Sequence, residues 1–370
     1  MVGSLPPPFH GSTVFFESIV RSDLCSDFEV RHLDTSDHRG IDNIDRMEIV
    51  NVFLAIRSIV LLAVLLLRWK PDLVYIPIAA SFLPYLRDGI MILSVAALSS
   101  AKTVIHLHGG WHFRDSFFQQ SRGFIRLFIR STLKRVHTAI VLSNRFVGIF
   151  EGLVSRVEVV PNGIATNGTC APRSTLLPEK SRRVVGFLGN LFESKGVLDL
   201  VLAAKQVLPS SSQDVVFIVA GLWPMQESQI QQEICRIIPE AGLEERILFR
   251  GALVGREKAM FLNEIDILAF PTWYAYEGMP LVILEAMAAG KAVVSSRGIG
   301  AIEDMVEHGV TGMLVPPRSP SELANALRYL LGDDLRRIAM GKAGRERFMR
   351  RYTMTHCVDR LRQVFRSVVS

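Results

Sequence analysis

Short runs of apolar residues alternate along the chain with stretches in which apolar residues recur at spacings of three and four. Apolar runs separated by helical stretches are typical of parallel β-sheets covered by helices. The pattern therefore predicts an α/β protein, and a length of 370 residues favours two doubly wound domains over one. The predicted strands cover residues 28–33, 73–76, 103–107, 139–142, 158–160, 184–188, 215–220, 247–250, 267–270, 292–295 and 313–315.

A segment without periodicity separates the two halves. Residues 165–183 are rich in Thr, Asn, Gly, Ser and Pro, and a new predicted strand begins at Val184. At the other end, only residues 1–4 precede the predicted loop at 6–12, so the first strand is very short or the native chain starts upstream. The expected divisions are an N-terminal domain over 1–168, a linker over 169–183, a C-terminal domain over 184–350 and a last helix over 351–370.

Composition and cysteine usage narrow the class of protein. The chain is 49% hydrophobic and 21% charged, which excludes a disordered or fibrous protein. Its four cysteines lie far apart without a CxxC pair, so we expect neither a disulfide framework nor a metal site, and a cytoplasmic location. The longest uninterrupted apolar run, residues 59–67, is less than half of the roughly 20 residues that a membrane span needs. This predicts that the chain does not cross a membrane.

The net charge of +6 is unevenly distributed. Residues 111–135 carry six Lys or Arg against one Asp (+5), and residues 336–370 carry ten against two acids (+8), so the rest of the chain sums to −7. Two basic regions on an otherwise acidic protein indicate an anionic partner. No known nucleic-acid-binding motif accompanies them, which disfavours a nucleic acid.

The first basic region contains a candidate membrane helix. Arg122, Arg126, Arg130 and Lys134 recur at every fourth position, with bulky apolar residues between them. This pattern suits a helix lying on an anionic membrane surface near an acceptor. It equally suits a surface helix that packs against its own domain through the apolar face. The sequence leaves both interpretations open, and with them a peripheral attachment to the inner face of the cytoplasmic membrane.

Two segments of the second half follow predicted strands, where ligands bind in doubly wound sheets. Residues 189–196 have glycines at both ends and open a helix, so backbone N–H groups and Lys195 could receive a phosphate, although a short glycine-flanked loop is a weak signal. Residues 277–290 are more specific, because Glu277 and Glu285 stand eight positions apart, in a loop and on an apolar helix. An acid such as Glu285 in that setting needs a partner, which favours a site that binds hydroxyl groups.

The first half offers one comparable candidate. His108 ends a predicted strand and is followed by Gly109 and Gly110, which would let a ligand approach the backbone closely. His106 lies two residues earlier on the same face of the strand, a position that favours a packing role. We therefore assign His108 to the site and His106 to the core.

The ordered set of these motifs resembles the retaining glycosyltransferases of family four (glycosyl transferases group 1). That resemblance implies the GT-B fold, in which two Rossmann-like domains face each other across a cleft. It covers almost the whole chain and is weaker in the first half. The residues that carry it are Pro6 to Gly11, His108-Gly109-Gly110, Pro161-Asn162-Gly163, Gly189-Asn190, Lys195-Gly196, Gly221, Gly251, Pro271, Glu277, Glu285, Gly312 and Leu314 to Pro317.

The resemblance implies roles for particular residues. Lys195 would pair with the diphosphate of a nucleotide sugar, Glu277 would hold donor-sugar hydroxyls, and His108 would lie by the donor sugar and the acceptor. The catalytic set is therefore His108, Lys195 and Glu277, and no metal or other cofactor is expected. Donor binding is assigned to Gly11, Gly189, Asn190, Lys195, Gly278, Met279, Pro280 and Leu281, with Glu285 on the ribose.

One departure from the family affects the diphosphate site. The family often has an arginine directly after the first glycine of the loop, where this chain has Asn190. Lys195 should therefore carry more of the charge stabilisation. The first half departs as well, because the strand that precedes the loop at Gly11 is shorter than the resemblance would imply.

The resemblance predicts transfer of a sugar from a nucleotide diphosphate sugar, with retention of configuration, to a lipid-linked saccharide or similar acceptor in surface polysaccharide synthesis. The alternatives are a nucleotide-sugar 2-epimerase of the same fold and a non-catalytic subunit of that fold. The sequence does not identify the sugar, the base, the acceptor or the oligomeric state.

Overall fold

The computed structural model describes residues 1–7, 11–36, 49–166, 182–211 and 214–369. The chain divides into two compact units. The first unit comprises Met1–Gly163, Tyr276–Met279 and Met354–Ser370, and the second comprises Ile164–Ala275 and Pro280–Thr353. Most of the predicted linker, residues 169–181, lies outside the described residues.

Parallel strands and the helices between them form both units. The strands are β1 (Val2–Gly3), β2 (Leu33–Asp34), β3 (Leu73–Ile78), β4 (Lys102–Leu107), β5 (Thr138–Val141), β6 (Val157–Val159), β7 (Arg182–Leu188), β8 (Asp214–Ala220), β9 (Ile247–Arg250), β10 (Ile267–Phe270), β11 (Ala292–Ser296) and β12 (Gly312–Val315). The α-helices are α1 (Gly11–Val20), α2 (Leu24–Asp27), α3 (Ile49–Trp69), α4 (Phe82–Leu98), α5 (Gly123–Leu133), α6 (Val197–Val207), α7 (Ser228–Glu240), α8 (Gly255–Glu264), α9 (Leu281–Ala288), α10 (Ile302–Met305), α11 (Pro320–Leu331), α12 (Asp334–Arg351) and α13 (Met354–Val369).

The first unit is built on a parallel sheet in the order β3-β4-β5-β6 and a separate parallel pair, β1-β2. β3 and β4 pair along their full length, from Leu73 opposite Lys102 to Ile78 opposite Leu107. All four residues of β5 are buried, as expected of a strand covered by helices on both faces.

The second unit is one six-stranded parallel sheet in the order β12-β11-β10-β7-β8-β9. The chain order reverses between β10 and β7, which makes their carboxyl ends the topological switch point of the sheet. Loops at such a point are where doubly wound folds bind ligands. The segments that follow β7 and β10 are residues 189–196 and 271–280. The first is a motif selected from the sequence, and the second contains the start of the other selected motif, residues 277–290.

The predicted α/β class is confirmed, and each of the eleven predicted strands overlaps an observed one. The agreement is poorest for residues 28–33, where only Leu33 belongs to β2. The predicted loop at 6–12 is wrong at its end, because Gly11 is the first residue of α1. Phe15, Phe16 and Ile19 are buried at helical spacing, which ties this segment to the core as a helix.

The expectation that no segment is long and apolar enough to cross a membrane is wrong for α3. This helix has 21 residues. Its 20 residues Val50–Trp69 have a mean hydropathy of 2.6 and are mostly not buried. Counting uninterrupted residues failed here because Arg57 and Ser58 interrupt the apolar run but not the helix, which begins at Ile49. By length and composition alone, α3 meets the requirement for a membrane span, and no other helix of the described residues does.

Candidate functional site

The loop after β7 presents a helix N-terminus and a lysine. β7 ends at Leu188, and a single 3₁₀ turn over Glu193–Lys195 leads into α6. Gly196 precedes α6 with φ 82°. A Cβ at that position would lie 2.2 Å from the carbonyl oxygen of Pro271, so both the conformation and the close approach require glycine. The free N–H groups at the start of α6 and the Lys195 ammonium are suited to an anion.

The loop after β10 holds this turn in place. The Trp273 N–H donates to the carbonyl oxygen of Ser194 at 2.7 Å, and the hydroxyl of the buried Thr272 donates to the same oxygen at 3.3 Å. Lys195 Nζ lies 4.2 Å from the centroid of the Tyr274 ring and 5.7 Å from that of Phe270. These aromatic faces attract the ammonium, and so favour its position by the loop after β10.

An acid stands in the first turn of α6, close to the same loop. Burial and the nearby Glu193 raise the pKa of Asp199 to about 6, while Arg318 opposes the rise. Oδ2 of Asp199 is buried and has no hydrogen-bond partner among the described residues. Arg318 stacks on Trp273, with its guanidinium carbon 3.8 Å from the ring centroid. The anion site therefore has a titratable group at its edge.

Glu285 lies on α9 and forms an ion pair. Its Oε1 accepts from Lys258 Nζ of α8 at 2.7 Å, and the side chains are 15% and 30% exposed. The partner that an acid in this apolar helix needs is thus a lysine of the protein itself, and the assignment of Glu285 to a ligand stays a prediction. Pro280 and Leu281 stand at the start of the same helix. Pro280 has no N–H, so of the residues 279–281 assigned to donor binding only Met279 and Leu281 can donate from the backbone.

The structure brings the His108 turn and the Glu277 loop together inside the first unit. A Cβ at Gly278 would lie 1.9 Å from the carbonyl oxygen of His108, and one at Gly110 would lie 2.8 Å from that of Glu277. Asn162 Nδ2 donates to the carbonyl oxygen of Met279 at 3.0 Å. Glu277 and Met279 are buried, and the backbones approach this closely because two of the residues are glycines.

Stacked rings support the His108 turn. The rings of His106 and His108 lie 4.1 Å apart, and Phe15 of α1 meets His108 edge-on at 5.0 Å. His106 is fully buried, and its Nδ1 lies 2.6 Å from the Tyr75 hydroxyl. Burial and the neighbouring His108 hold the pKa of His106 well below its ordinary value. The structure thus places His106 in the core, as expected, and Gly11 one turn before Phe15.

The basic stripe of α5 is only partly helical. Arg126 and Arg130 belong to the helix, whereas Arg122 and Lys134 flank it at either end. Arg126 donates to the carbonyl oxygens of Gln119 and Ser121, and Arg130 stacks on Phe118 at 5.7 Å. All four basic residues are exposed. The prediction of a basic surface helix is therefore confirmed, and two of its arginines also contact neighbouring residues of the first unit.

The comparisons with known proteins identify the second unit. Residues 182–333 match the family described as "Glycosyl transferases group 1". The second unit belongs to the glycosyl transferases group 1. This group 1 domain spans β7 to the end of α11, and it contains Lys195 and Glu285.

Curated relatives extend the likeness beyond the group 1 domain. The chain is 30% identical over 229 residues to alpha-maltose-1-phosphate synthase of Mycolicibacterium smegmatis, covering 58% of this chain and 57% of that protein. It is also 30% identical over 170 residues to 2-deoxystreptamine glucosyltransferase of Streptomyces kanamyceticus, covering 46% and 42%. The chain thus spans about half the length of the curated relatives that it matches.

Solved structures cover nearly all of the chain. Sucrose-phosphate synthase of Thermosynechococcus elongatus has a TM-score of 0.78 at 20% identity, covering 99% of this chain and 98% of that one. Anabaena HepE in complex with UDP-glucose has a TM-score of 0.75 at 20% identity, with the same coverage. These likenesses show the fold, which is GT-B with two Rossmann-like domains.

Sequence reasoning missed several residues around the group 1 domain's anion site. The Tyr274 ring, the Lys258 ion pair and the Asp199 carboxylate all depend on contacts between distant parts of the chain. Only Asp199 left a local signal, as an acid in the first turn of a helix. Among the described residues, no group of three or more His, Cys, Asp or Glu could hold a metal ion.

Proposed function

We propose that the protein transfers a sugar from a nucleotide diphosphate sugar to an acceptor hydroxyl with retention of configuration. The observation that carries the proposal is the turn of Lys195, which leads directly into the N-terminus of α6 inside a glycosyl transferases group 1 domain. A leaving diphosphate gains negative charge as the glycosidic bond breaks. A helix N-terminus and a lysine would stabilise that charge where it develops.

In the proposed reaction the bond between the anomeric carbon and the diphosphate oxygen breaks, and the acceptor oxygen bonds to the same face of the sugar. The acceptor proton passes to an oxygen of the leaving phosphate. Glu277 would accept hydrogen bonds from donor-sugar hydroxyls, with His108 beside it. Glu285 would accept from the ribose, and Lys258, which donates to its Oε1, would orient the carboxylate.

The acceptor is proposed from the charge of the first unit. α5 presents exposed Arg126 and Arg130 with no acidic residue in the helix. A lipid-linked saccharide on the inner face of the cytoplasmic membrane suits such a surface. Assembly of a surface polysaccharide is the proposed setting. Because HepE binds UDP and UDP-glucose, UDP sugars are the first donors to test.

The test is nucleotide release. Purified protein is incubated with UDP, GDP and ADP sugars, with and without a membrane lipid extract. Release that needs one donor and the lipid supports a transferase, and NMR of the product's anomeric centre reports retention or inversion. Conversion of a donor to its epimer without an acceptor would replace this proposal with a 2-epimerase.

Lys195→Ala tests the assignment of the site. We expect kcat to fall by about 10²–10³-fold, as for other groups that stabilise a developing charge. Lys205→Ala is the matched control, because it removes the same charge from an exposed position on the same helix, α6. Equal effects of the two variants, or near wild-type turnover of Lys195→Ala, would refute the assignment.

A further inference from the structure

We propose that the outer face of α3 embeds the first unit in an anionic lipid surface. This face, the α3 face, consists of Phe53, Ile56, Val60, Val64 and Leu67. Their exposed fractions are 64%, 56%, 54%, 39% and 60%. Five large apolar side chains on one helix are far more than the scattered exposed residues of an ordinary soluble surface.

The five residues form one continuous stripe. They follow each other at spacings of three, four, four and three, which places them within a narrow sector of a helix. The buried residues of α3 are Ser58, Leu62 and Leu66, spaced by four on the opposite side. The stripe runs from Phe53 to Leu67, which is 15 residues and about 21 Å from the first to the last at the rise of an α-helix. The α3 face therefore points away from the core that holds the helix.

The buried stripe decides between lying on a membrane and crossing it. α3 packs against α4 and β2 in the first unit, and Leu62 and Leu66 are 3% and 1% exposed. Crossing a bilayer would require α3 to leave this packing. Lying in the interface buries only the residues that are exposed in the structure. We therefore infer an in-plane helix.

Charge identifies the occupant of the α3 face. Arg57 and Arg68 lie on one shoulder of the stripe, and α3 contains no Asp or Glu. α4 contacts both α3 and α5, so α5 belongs to the same helical layer. On α5, Phe124 and Leu127 are 67% and 65% exposed among arginines, again without an acid in the helix.

An anionic lipid surface satisfies both features, because its acyl region accepts the apolar stripe and its headgroups pair with the arginines. A second copy of this chain would instead bring two positively charged layers together. The proposal deepens the acceptor part of the proposed function, on which its biological purpose rests. The binding itself can be measured without turnover.

The experiment is co-sedimentation with phosphatidylcholine vesicles, with and without phosphatidylglycerol. The double variant Phe53→Gln/Leu67→Gln should lower the partition coefficient by about tenfold per residue. The matched control is Leu335→Gln/Ile338→Gln, which removes two apolar side chains that are 82% and 49% exposed in the second unit. We expect the control to bind vesicles as the wild type does.

A second pair of substitutions separates the charge from the apolar stripe. Arg57→Gln/Arg68→Gln should weaken binding to vesicles with phosphatidylglycerol by about fivefold per arginine, and should leave binding to pure phosphatidylcholine unchanged. Thermal unfolding of every variant, followed by circular dichroism, checks that the first unit remains folded.

Three results would overturn the proposal. The first is a wild-type protein that anionic vesicles do not retain, and the second is a Phe53→Gln/Leu67→Gln variant that binds vesicles as the wild type does. The third is a wild-type dimer that binds no vesicles and that these two substitutions dissociate into monomers. The proposed function fails separately. Vesicle binding without sugar transfer would support membrane binding by the α3 face and refute the proposed transferase activity. Sugar transfer to a soluble acceptor without vesicle binding would support the transferase activity and refute membrane binding by the α3 face.

Discussion

Gly278 lies where the loop 276–279 crosses the turn after β4, and a methyl group there should disturb the site measurably. A Cβ at Gly278 would lie 1.9 Å from the carbonyl oxygen of His108, whereas real Cβ contacts are essentially never shorter than 3.0 Å. In Gly278→Ala the two backbones must therefore separate by at least about 1.1 Å. Displacements of about 1 Å in a positioned group cost about 10²-fold in rate, so we expect kcat/KM to fall by that factor.

Gly109→Ala is the matched control. Gly109 belongs to the same turn, but its Cβ would lie 3.8 Å from the nearest atom, the carbonyl oxygen of Tyr276, which is an ordinary contact. Neither glycine has a positive φ, so the two substitutions differ in the space available rather than in backbone strain. We expect Gly109→Ala to stay within a few-fold of the wild type.

The assay is the initial rate of nucleotide release from the donor that the panel identifies. It is accompanied by urea unfolding, so that a loss of rate can be separated from a loss of folded protein. Gly278→Ala with wild-type kcat/KM would refute the reasoning, and so would equal losses in Gly278→Ala and Gly109→Ala.

Three further predictions concern buried or paired groups. Glu285→Gln should raise KM for the donor more than it lowers kcat, because the proposed ribose contact is the same in the bound substrate and in the transition state. Steady-state kinetics of this variant and of Lys258→Gln, which removes the partner of Glu285, measure both constants. A fall in kcat larger than the rise in KM would instead indicate that Glu285 acts in catalysis. The pKa of Asp199 rises from 3.8 to about 6 on folding, so between these pH values the folded protein holds a proton that the unfolded chain has lost, and stability falls as pH rises. Asn does not titrate, so the stability advantage of Asp199→Asn in urea unfolding should grow from pH 4 to pH 7. A difference that stays constant with pH would contradict this prediction. Tyr75→Phe should lower the free energy of unfolding by about 1–3 kcal/mol, since it leaves the buried Nδ1 of His106 without its partner, and urea denaturation with an unchanged midpoint would disprove that.

The strands and the candidate loops could be predicted from the sequence because their signals are local. An apolar run such as β10 is buried throughout and is bounded by Asp266 and Pro271, so its limits are visible without a structure. The Glu277 and Glu285 motif was visible for the same reason. The roles assigned to these two residues remain predictions.

The supporting contacts could not be predicted, because they join residues that are distant in sequence. Lys258 meets Glu285 across 27 positions, and the His108 turn meets Gly278 through backbone atoms that no side-chain pattern encodes. α3 failed for another reason. A count of consecutive apolar residues begins only after Arg57 and Ser58, although the helix begins at Ile49.

The division of the chain into units has a consequence for how the protein is made. The chain enters the second unit after Gly163, but the first unit also needs residues 276–279 and α13. α13 supplies Phe365, whose ring packs edge-on against Tyr75, and Arg362, which pairs with Asp27. On a ribosome, the first unit is therefore complete only after the second unit has been synthesised. A gene fragment that ends near residue 163 would encode a first unit without α13.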